Sequence, residues 1–338
     1  MDQNILEGYM RYCLRLARLG LGSVSPNPTV GSILVHENRI IGSGYHQRYG
    51  EAHAEANAIH SVLPSDRKYI SESTLFVSLE PCNHFGKTPP CSQLILRHGI
   101  RKLVFGTYDP NPVTSGTSID FLRNQGVEVT GPVLNEECQE LIAPFTVNQK
   151  LKRPYVILKF AQSSDFLIGQ PDKRIKISNP YSDLMVHKWR SQVDGILVGG
   201  RTVRIDDPQL TTRLWPGKHP VRLVLGHFSE AEKNRYRVFD DQATTLSLDD
   251  LGFANSADWP ELLREIYKRE IGILMVEGGA QTLDSIYSSG LWDEARVITN
   301  QGLKLGRGVP APSIRGRLVQ KIKLDQDVIH YIKENQGP

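Results

Sequence analysis

Three side chains in the first half of the chain have the types and order of a metal centre. They are His53 in His-Ala-Glu, Cys82 directly after Pro81, and Cys91. One histidine and two cysteines make three protein ligands, the number a catalytic zinc site uses while a fourth position stays open for water. Zinc lowers the pKa of its bound water to about 7, so the chemistry such a site supports is hydrolysis at neutral pH. Glu55, two residues after the histidine, then has the place of a general acid/base rather than of a ligand. The plainer alternative is a helix cap at His53–Glu55 and two core thiols. A lone His-x-Glu is a weak signal, but followed by a strand, a Pro-Cys and a further cysteine it is a strong one.

These residues need particular elements to meet. In a regular helix positions i and i+2 point to nearly opposite sides, so His53 and Glu55 serve one site only if the motif opens the helix. A helix expected at 54–63, with Gly50 just upstream, allows that. TLFVSLEP (74–81) reads as a buried strand ending at Cys82, the strand edge where open α/β sheets bind ligands. SQLILRHGI (92–100) reads as a helix closed by Gly99. Strands at 30–35 and 39–46 joined by the short turn HEN, strands at 102–110 and 126–131 and a helix at 3–19 complete the pattern, and the strands separated by helices imply parallel crossovers and three layers. Cys13 and Cys138 fall in amphipathic patterns and read as core thiols.

A polar basic stretch at 148–154 is the expected boundary, placed near 147–153. Beyond it the alternation resumes. Strands are expected at YVILKFAQ, GILVGG, VRLVLG, ILMVEGG and RVIT, and helices at 180–192, 258–270 and 280–289. Strand-like alternation at 318–333 surrounds a DQD turn. The stretches 201–219 and 227–258 have no clear pattern.

The length, 338 residues, suits two domains. A composition of 39% hydrophobic and 23% charged residues excludes a disordered or fibrous chain. Forty basic against 37 acidic residues leave +3, too mild for a dedicated nucleic-acid binder, and no aromatic-basic platform is present. Four cysteines are too few for a disulfide framework. No apolar run approaches the ~18 residues of a membrane span, and the first twenty residues do not form a signal peptide, so a cytoplasmic location is expected.

The His-x-Glu and Pro-Cys pattern is that of zinc nucleobase deaminases. Eight residues, NHFGKTPP, separate Cys82 from Cys91 where those enzymes have two. With that interval, GYHQRYGEAHAE and EPCNHFGKTPPCSQLI, together with SPNPTVG and DPNP, resemble the deaminase domain of the bifunctional riboflavin-biosynthesis deaminase/reductase family. The resemblance implies a cytidine-deaminase-like domain over 1–147. Its reaction would be hydrolytic loss of a ring amino group from a ribosylaminopyrimidine 5′-phosphate. His53, Cys82 and Cys91 would hold Zn2+, and Glu55 would shuttle the proton. Asn27 and His46 would line the pyrimidine pocket, and His84 and Lys87 would touch substrate. An asparagine offers donor and acceptor to a ring edge, and a lysine offers a compact cation to a phosphate.

In the second half LKFAQSSD, HKWR, GILVGGRTVRIDDPQLTTR, HPVRLVLG and VEGGAQTL resemble the reductase domain of the same family. The implied fold over 153–338 is dihydrofolate-reductase-like, and the implied reaction is NADPH reduction of a ribosyl to a ribityl group. No G-x-G-x-x-G indicates a Rossmann site. Gln162, Thr202, Asp206 and Gly279 match cofactor positions. Arg190, Leu210, Arg213 and Glu277 match substrate positions, the arginines suiting a phosphate and Glu277 suiting ribose hydroxyls. Three places depart from the family. Phe166 stands where a glycine is usual, so its turn is expected to differ; Gly226 stands where an Asp is common; and the loop near Arg174 is atypical. Two alternatives remain: the same deaminase with a second half that only binds ligand, and a nucleic-acid or free-nucleoside deaminase. A homo-oligomer acting on a small phosphorylated pyrimidine, with no nucleic-acid or membrane partner, is the expectation.

Overall fold

In the computed structural model, which describes residues 2–85, 89–171, 173–253 and 258–334, the chain divides into two units, Met1–Lys152 and Arg153–Pro338. In chain order the first unit runs α1 (Gln3–Ala17), β1 (Gly31–His36), β2 (Arg39–Tyr45), α2 (Ala54–His60), β3 (Thr74–Val77) and α3 (Cys91–Arg97). It continues with β4 (Lys102–Phe105), α4 (Thr117–Asn124), β5 (Glu128–Thr130), α5 (Asn135–Leu141) and α6 (Ala143–Leu151). Helix α6 runs through most of the stretch expected as a polar linker, and Lys152 ends it in the left-handed conformation.

Strand alternation explains the layers of this unit. Ile33, Val35, Phe76 and Val104 face one side and pack with Leu6, Met10, Cys13 and Leu14 of α1. Their neighbours Leu34, Leu75, Val77, Leu103 and Phe105 face the other side and pack with Ile59 of α2, Ile95 of α3 and Ile119 and Leu122 of α4. The sheet order is β2-β1-β3-β4-β5. Only β3, β4 and β5 are parallel; β1 is antiparallel to both of its neighbours. The short turn expected at HEN is present, with Glu37 and Asn38 both at positive φ turning β1 straight back into β2 as a hairpin. The parallel arrangement expected for strands separated by helices holds for β3, β4 and β5 but not for β1 against β3.

The second unit runs β6 (Tyr155–Ser163), β7 (Leu167–Gly169), α7 (Pro180–Ser191), β8 (Gly195–Gly199), α8 (Gly200–Asp206), β9 (Val221–Leu225), α9 (Glu230–Lys233) and β10 (Thr245–Ser247). Then follow α10 (Trp259–Lys268), β11 (Ile273–Val276), α11 (Ala280–Ser288), β12 (Glu294–Asn300), β13 (Val309–Pro310), β14 (Arg317–Leu324) and β15 (Asp327–Lys333). The main sheet has the order β10-β9-β8-β11-β6-β12-β15-β14. It is parallel through β12 and antiparallel across the last hairpin. Leu158, Leu197, Leu223 and Val276 pack with Trp259, Leu262 and Ile266 of α10 and Leu283 and Ile286 of α11. The unpatterned stretches 201–219 and 227–258 are organised by one fully buried guanidinium on β9. Arg222 donates to the carbonyls of Gln209, Arg237, Asp240 and Ala243 and pairs with the Asp240 carboxylate. No helix among the described residues is long and apolar enough to cross a membrane.

Phe166 holds the left-handed conformation that favours glycine, with φ 59, and its N–H bonds to the Ser163 carbonyl. Asp165 beside it accepts from the Ser163 hydroxyl and from the N–H groups of Leu305 and Gly306. Those bonds, the hydroxyl first, hold its carboxyl down at about 2. The absent glycine is therefore absorbed as backbone strain inside a pinned turn. The Phe166 side chain is 64% exposed, so it contributes little packing in return. Phe166→Gly is expected to raise the stability of the second unit by about 0.5–1 kcal/mol. Urea unfolding of both proteins measures it, and a destabilised variant would show that the ring has a packing role.

Candidate active sites

His53 is the N-cap of α2, with extended φ −72 and ψ 166, and Glu55 is the second residue of that helix. The histidine thus leaves before the helical twist begins, and both side chains reach one place. Cys82 lies on the segment that follows β3, and Cys91 is the first residue of α3. The His53 Nδ1 atom is 3.5 Å from Cys82 Sγ and 3.3 Å from Cys91 Sγ. All three ligand atoms lie within 4.8 Å of one another. A tetrahedral zinc with bonds of ~2.3 Å to sulfur and ~2.0 Å to nitrogen separates its ligand atoms by about 3.5 Å, so this donor set fits that ion. The Cys91 N–H donates to Cys82 Sγ at 3.3 Å. The Cys91 side chain first, then His53 and that N–H, push the Cys82 thiol down to about 4 against the opposing effect of burial. Glu55 is buried, and burial pushes its carboxyl above the ordinary range.

Next to the metal ligands, the His46 ring meets that of His53 edge-on at 5.4 Å between centroids. His46 Nδ1 is 3.1 Å from the Ala52 carbonyl, which can only accept, so the ring proton is on Nδ1. Nε2 then accepts from the Asn27 amide at 3.1 Å. That bond uses one of the two N–H donors of the Asn27 amide and leaves its carbonyl oxygen as an acceptor. Burial lowers the pKa of His46, which keeps this arrangement neutral. A second small cavity, about 70 Å³, is lined by Cys82, His84, Glu80 and Asp109.

The second unit holds a cavity of about 790 Å³ at the C-terminal ends of its parallel strands. Buried Glu277, just after β11, receives Arg190 Nε at 2.9 Å, Arg190 Nη2 at 3.0 Å and Lys159 Nζ at 3.2 Å. Burial alone would raise its carboxyl, but Arg190 and Lys159 outweigh it and hold the group far below the usual carboxylate range. Arg213 donates its backbone N–H to His187 Nδ1 at 2.9 Å, and its guanidinium bonds to Gln209 and Thr211. Burial, then Arg190 and Arg213, bring His187 down to about 4, so the imidazole is neutral near pH 7. Burial raises Asp206, with Arg174 opposing.

The cavity floor is a glycine cradle. A Cβ on Gly279 would lie 2.8 Å from Thr202 Oγ1, and one on Gly199 would run into the Thr282 hydroxyl. Backbone bare of side chains, two hydroxyls and a surplus of cations suit an anionic dinucleotide.

Comparison with known proteins follows the same division. Residues 3–107 match the cytidine and deoxycytidylate deaminase zinc-binding region, and residues 154–329 match the RibD C-terminal domain. The riboflavin biosynthesis protein RibD of Aquifex aeolicus is 35% identical over 358 aligned residues, covering 98% of this chain and 99% of its own.

The chain belongs to the RibD family.

A solved structure from Thermotoga maritima, a diaminohydroxyphosphoribosylaminopyrimidine deaminase/5-amino-6-(5-phosphoribosylamino)uracil reductase, is 32% identical with a TM-score of 0.88 and covers 98% of this chain and 99% of its own. RibD of Acinetobacter baumannii is 26% identical with a TM-score of 0.87, covering 99% and 100%. The RibD family joins a zinc deaminase to a reductase, so the fold is a cytidine-deaminase-like unit followed by a dihydrofolate-reductase-like one.

Of the residues named from the sequence, His53, Glu55, Cys82, Cys91, His46 and Asn27 come together in the first unit. His84 is exposed at the small cavity, and Lys87 lies outside the described residues. In the second unit Thr202, Asp206, Gly279, Arg190, Leu210, Arg213 and Glu277 all line the large cavity. Gln162 does not line it; its amide donates to Thr299 Oγ1 on β12 at 3.0 Å. The Arg190 fork, expected on a phosphate, is spent on Glu277, because a buried carboxylate without a partner would be costly.

Two charged residues escaped the sequence reading. Lys159 sits inside the buried strand β6, where a lone cation needs a partner, and that anomaly was the signal. Glu80 is a buried carboxylate that accepts from the N–H groups of Asp109, Gly116 and Ser118 and from the Ser118 hydroxyl. It fastens the 109–118 segment beside the zinc ligands.

Proposed function

We propose that the chain performs two successive steps of riboflavin biosynthesis on the substrates named for the Thermotoga maritima relative. The first unit releases ammonia from the diaminopyrimidine ribosyl phosphate, and the second reduces the ribosyl group of the product with NADPH. The observation that carries the reading is the convergence of His53, Cys82 and Cys91 beside a buried Glu55 that is not one of them.

Bound to the three ligands, zinc supplies the Lewis acidity that makes water a nucleophile near neutral pH. Glu55, its proton affinity raised by burial, accepts the proton of the attacking water and delivers it to the departing amine. Asn27, oriented by His46, presents its carbonyl oxygen to an N–H on the pyrimidine edge. In the second unit the nicotinamide cofactor supplies the hydride. Lys159 and Arg190, held by Glu277, set a positive field at the end of β11, and Arg213, anchored through Nη1 on Gln209 and Thr211, offers its other guanidinium nitrogens to the substrate phosphate. Small phosphorylated pyrimidines, rather than nucleic acid, fit the net charge of +3.

The test is one reaction with the diaminopyrimidine ribosyl phosphate and NADPH, followed for ammonia and for NADPH absorbance together. Both are expected to change in step. Ammonia without NADPH oxidation would overturn the reductase assignment, and no ammonia would overturn the deaminase one.

A further inference from the structure

The large cavity extends past the catalytic end of the sheet to a cluster that the proposed reaction does not use. Glu277 and Lys159 mark its β11–β6 side, and the glycine cradle spans β8 and β11. Beyond the cradle, on the β9 side, the lining residues are Gly200, Arg204, Leu225 and Gly226. With neighbouring strands about 4.8 Å apart, the end of β9 is about 10 Å from that of β11 and about 14 Å from β6. A dinucleotide whose nicotinamide reaches Glu277 and whose pyrophosphate lies over the cradle carries its adenosine ribose to this cluster.

Arg204 is held there from three directions. Its Nε donates to Glu232 at 2.9 Å, its Nη2 donates to the His227 carbonyl at 2.7 Å, and its guanidinium stacks 4.3 Å above the Phe228 ring. Glu232 is itself fixed, since its other oxygen closes a capping box with Ser229. The remaining nitrogen, Nη1, faces Gly200, where a Cβ would come within 3.2 Å of it. Gly226 in turn lies against Gly200, a Cβ there being 3.5 Å from the Gly200 Cα. Gly226 has φ 129, a conformation side chains rarely adopt, so position 226 carries no carboxylate to bind a free ribose hydroxyl, and the carboxylate that pairs with Arg204, Glu232, sits on Nε while Nη1 faces Gly200. A preorganised cation and a bare backbone are a site for a phosphate on the ribose, not for a diol.

We propose that Arg204 is the specificity-determining residue for the 2′-phosphate of the cofactor, so that the reductase unit selects NADPH over NADH through this contact. The inference rests on the proposed reductase function. Binding to the full-length protein is measured by calorimetry with two probes, 2′,5′-ADP and 5′-ADP. Arg204→Leu is expected to weaken 2′,5′-ADP about 10- to 100-fold relative to 5′-ADP, the worth of a charge-assisted hydrogen bond. Arg204→Lys is expected to recover part of that loss, and the ratio of kcat/KM for NADPH over NADH is expected to fall in the same order. Equal weakening of both probes by Arg204→Leu, or no change in their ratio, would overturn the inference and leave the reductase reading intact. A wild-type protein that binds neither probe and oxidises neither cofactor would overturn the reductase reading itself, and the inference with it.

Discussion

Glu55→Gln is expected to lower ammonia release by about 10²- to 10⁴-fold, the usual worth of a positioned general acid/base. The substitution keeps the shape of the side chain and removes only its ability to take a proton. His53, Cys82 and Cys91 supply the metal ligands without it, so zinc content measured by elemental analysis should not change. Stability should not fall either, because the amide has no charge to bury and Glu55 is a buried acid. Oxidation of NADPH with the deaminated intermediate supplied directly should continue, since the second unit has its own cavity. Loss of zinc together with activity would show that Glu55 serves the metal site structurally. Turnover near the wild-type rate would show that the proton travels by another group.

Glu277→Ala is expected to remove about 3–5 kcal/mol from the stability of the second unit and to abolish NADPH oxidation, because it leaves Arg190 and Lys159 inside the protein without their shared carboxylate. Denaturant unfolding followed by circular dichroism reads the first effect, and the coupled assay reads the second. A cost under about 1 kcal/mol would mean that water from the cavity solvates the two cations, whose side chains are 14% and 12% exposed against 7% for Glu277. The pH dependence has a definite sign. The folded carboxyl titrates below its unfolded value, so Glu277 contributes stability that is fully present above the ordinary carboxylate range near 4.3 and is lost as pH falls toward the folded value. The difference between wild type and Glu277→Ala should therefore be level from pH 8 to pH 5 and narrow below about pH 4.

Much of the zinc site is legible without coordinates. Metal chemistry demands histidine and thiolate donors, a helix opening is the place where His53 and Glu55 can share a site, and the long Cys82–Cys91 interval marks the family. The strand and helix order of both units follows from hydrophobic runs and their breaks, since those patterns are local. The HEN turn between β1 and β2 is legible too, whereas the antiparallel pairing of β1 with β3 is not, because strand order is set by how separate segments assemble.

The long-range polar contacts could not be read this way. Glu80 finds its donors 29 to 38 residues away, Lys159 meets Glu277 across 118 positions, and Arg222 organises two stretches that have no pattern of their own. A charged residue inside an apolar strand signals that a partner must exist, but not which one. The bond of Gln162 on β6 to Thr299 on β12, which keeps its amide out of the cavity lining, and the commitment of Arg190 to Glu277 belong to the same class. Residue type and spacing set which groups can do chemistry and which segments become strands and helices, because those depend on covalent structure and neighbours along the chain. Which buried charge meets which, and which side chains face one cavity, depends on how the sheet brings distant segments together, and only folding decides that.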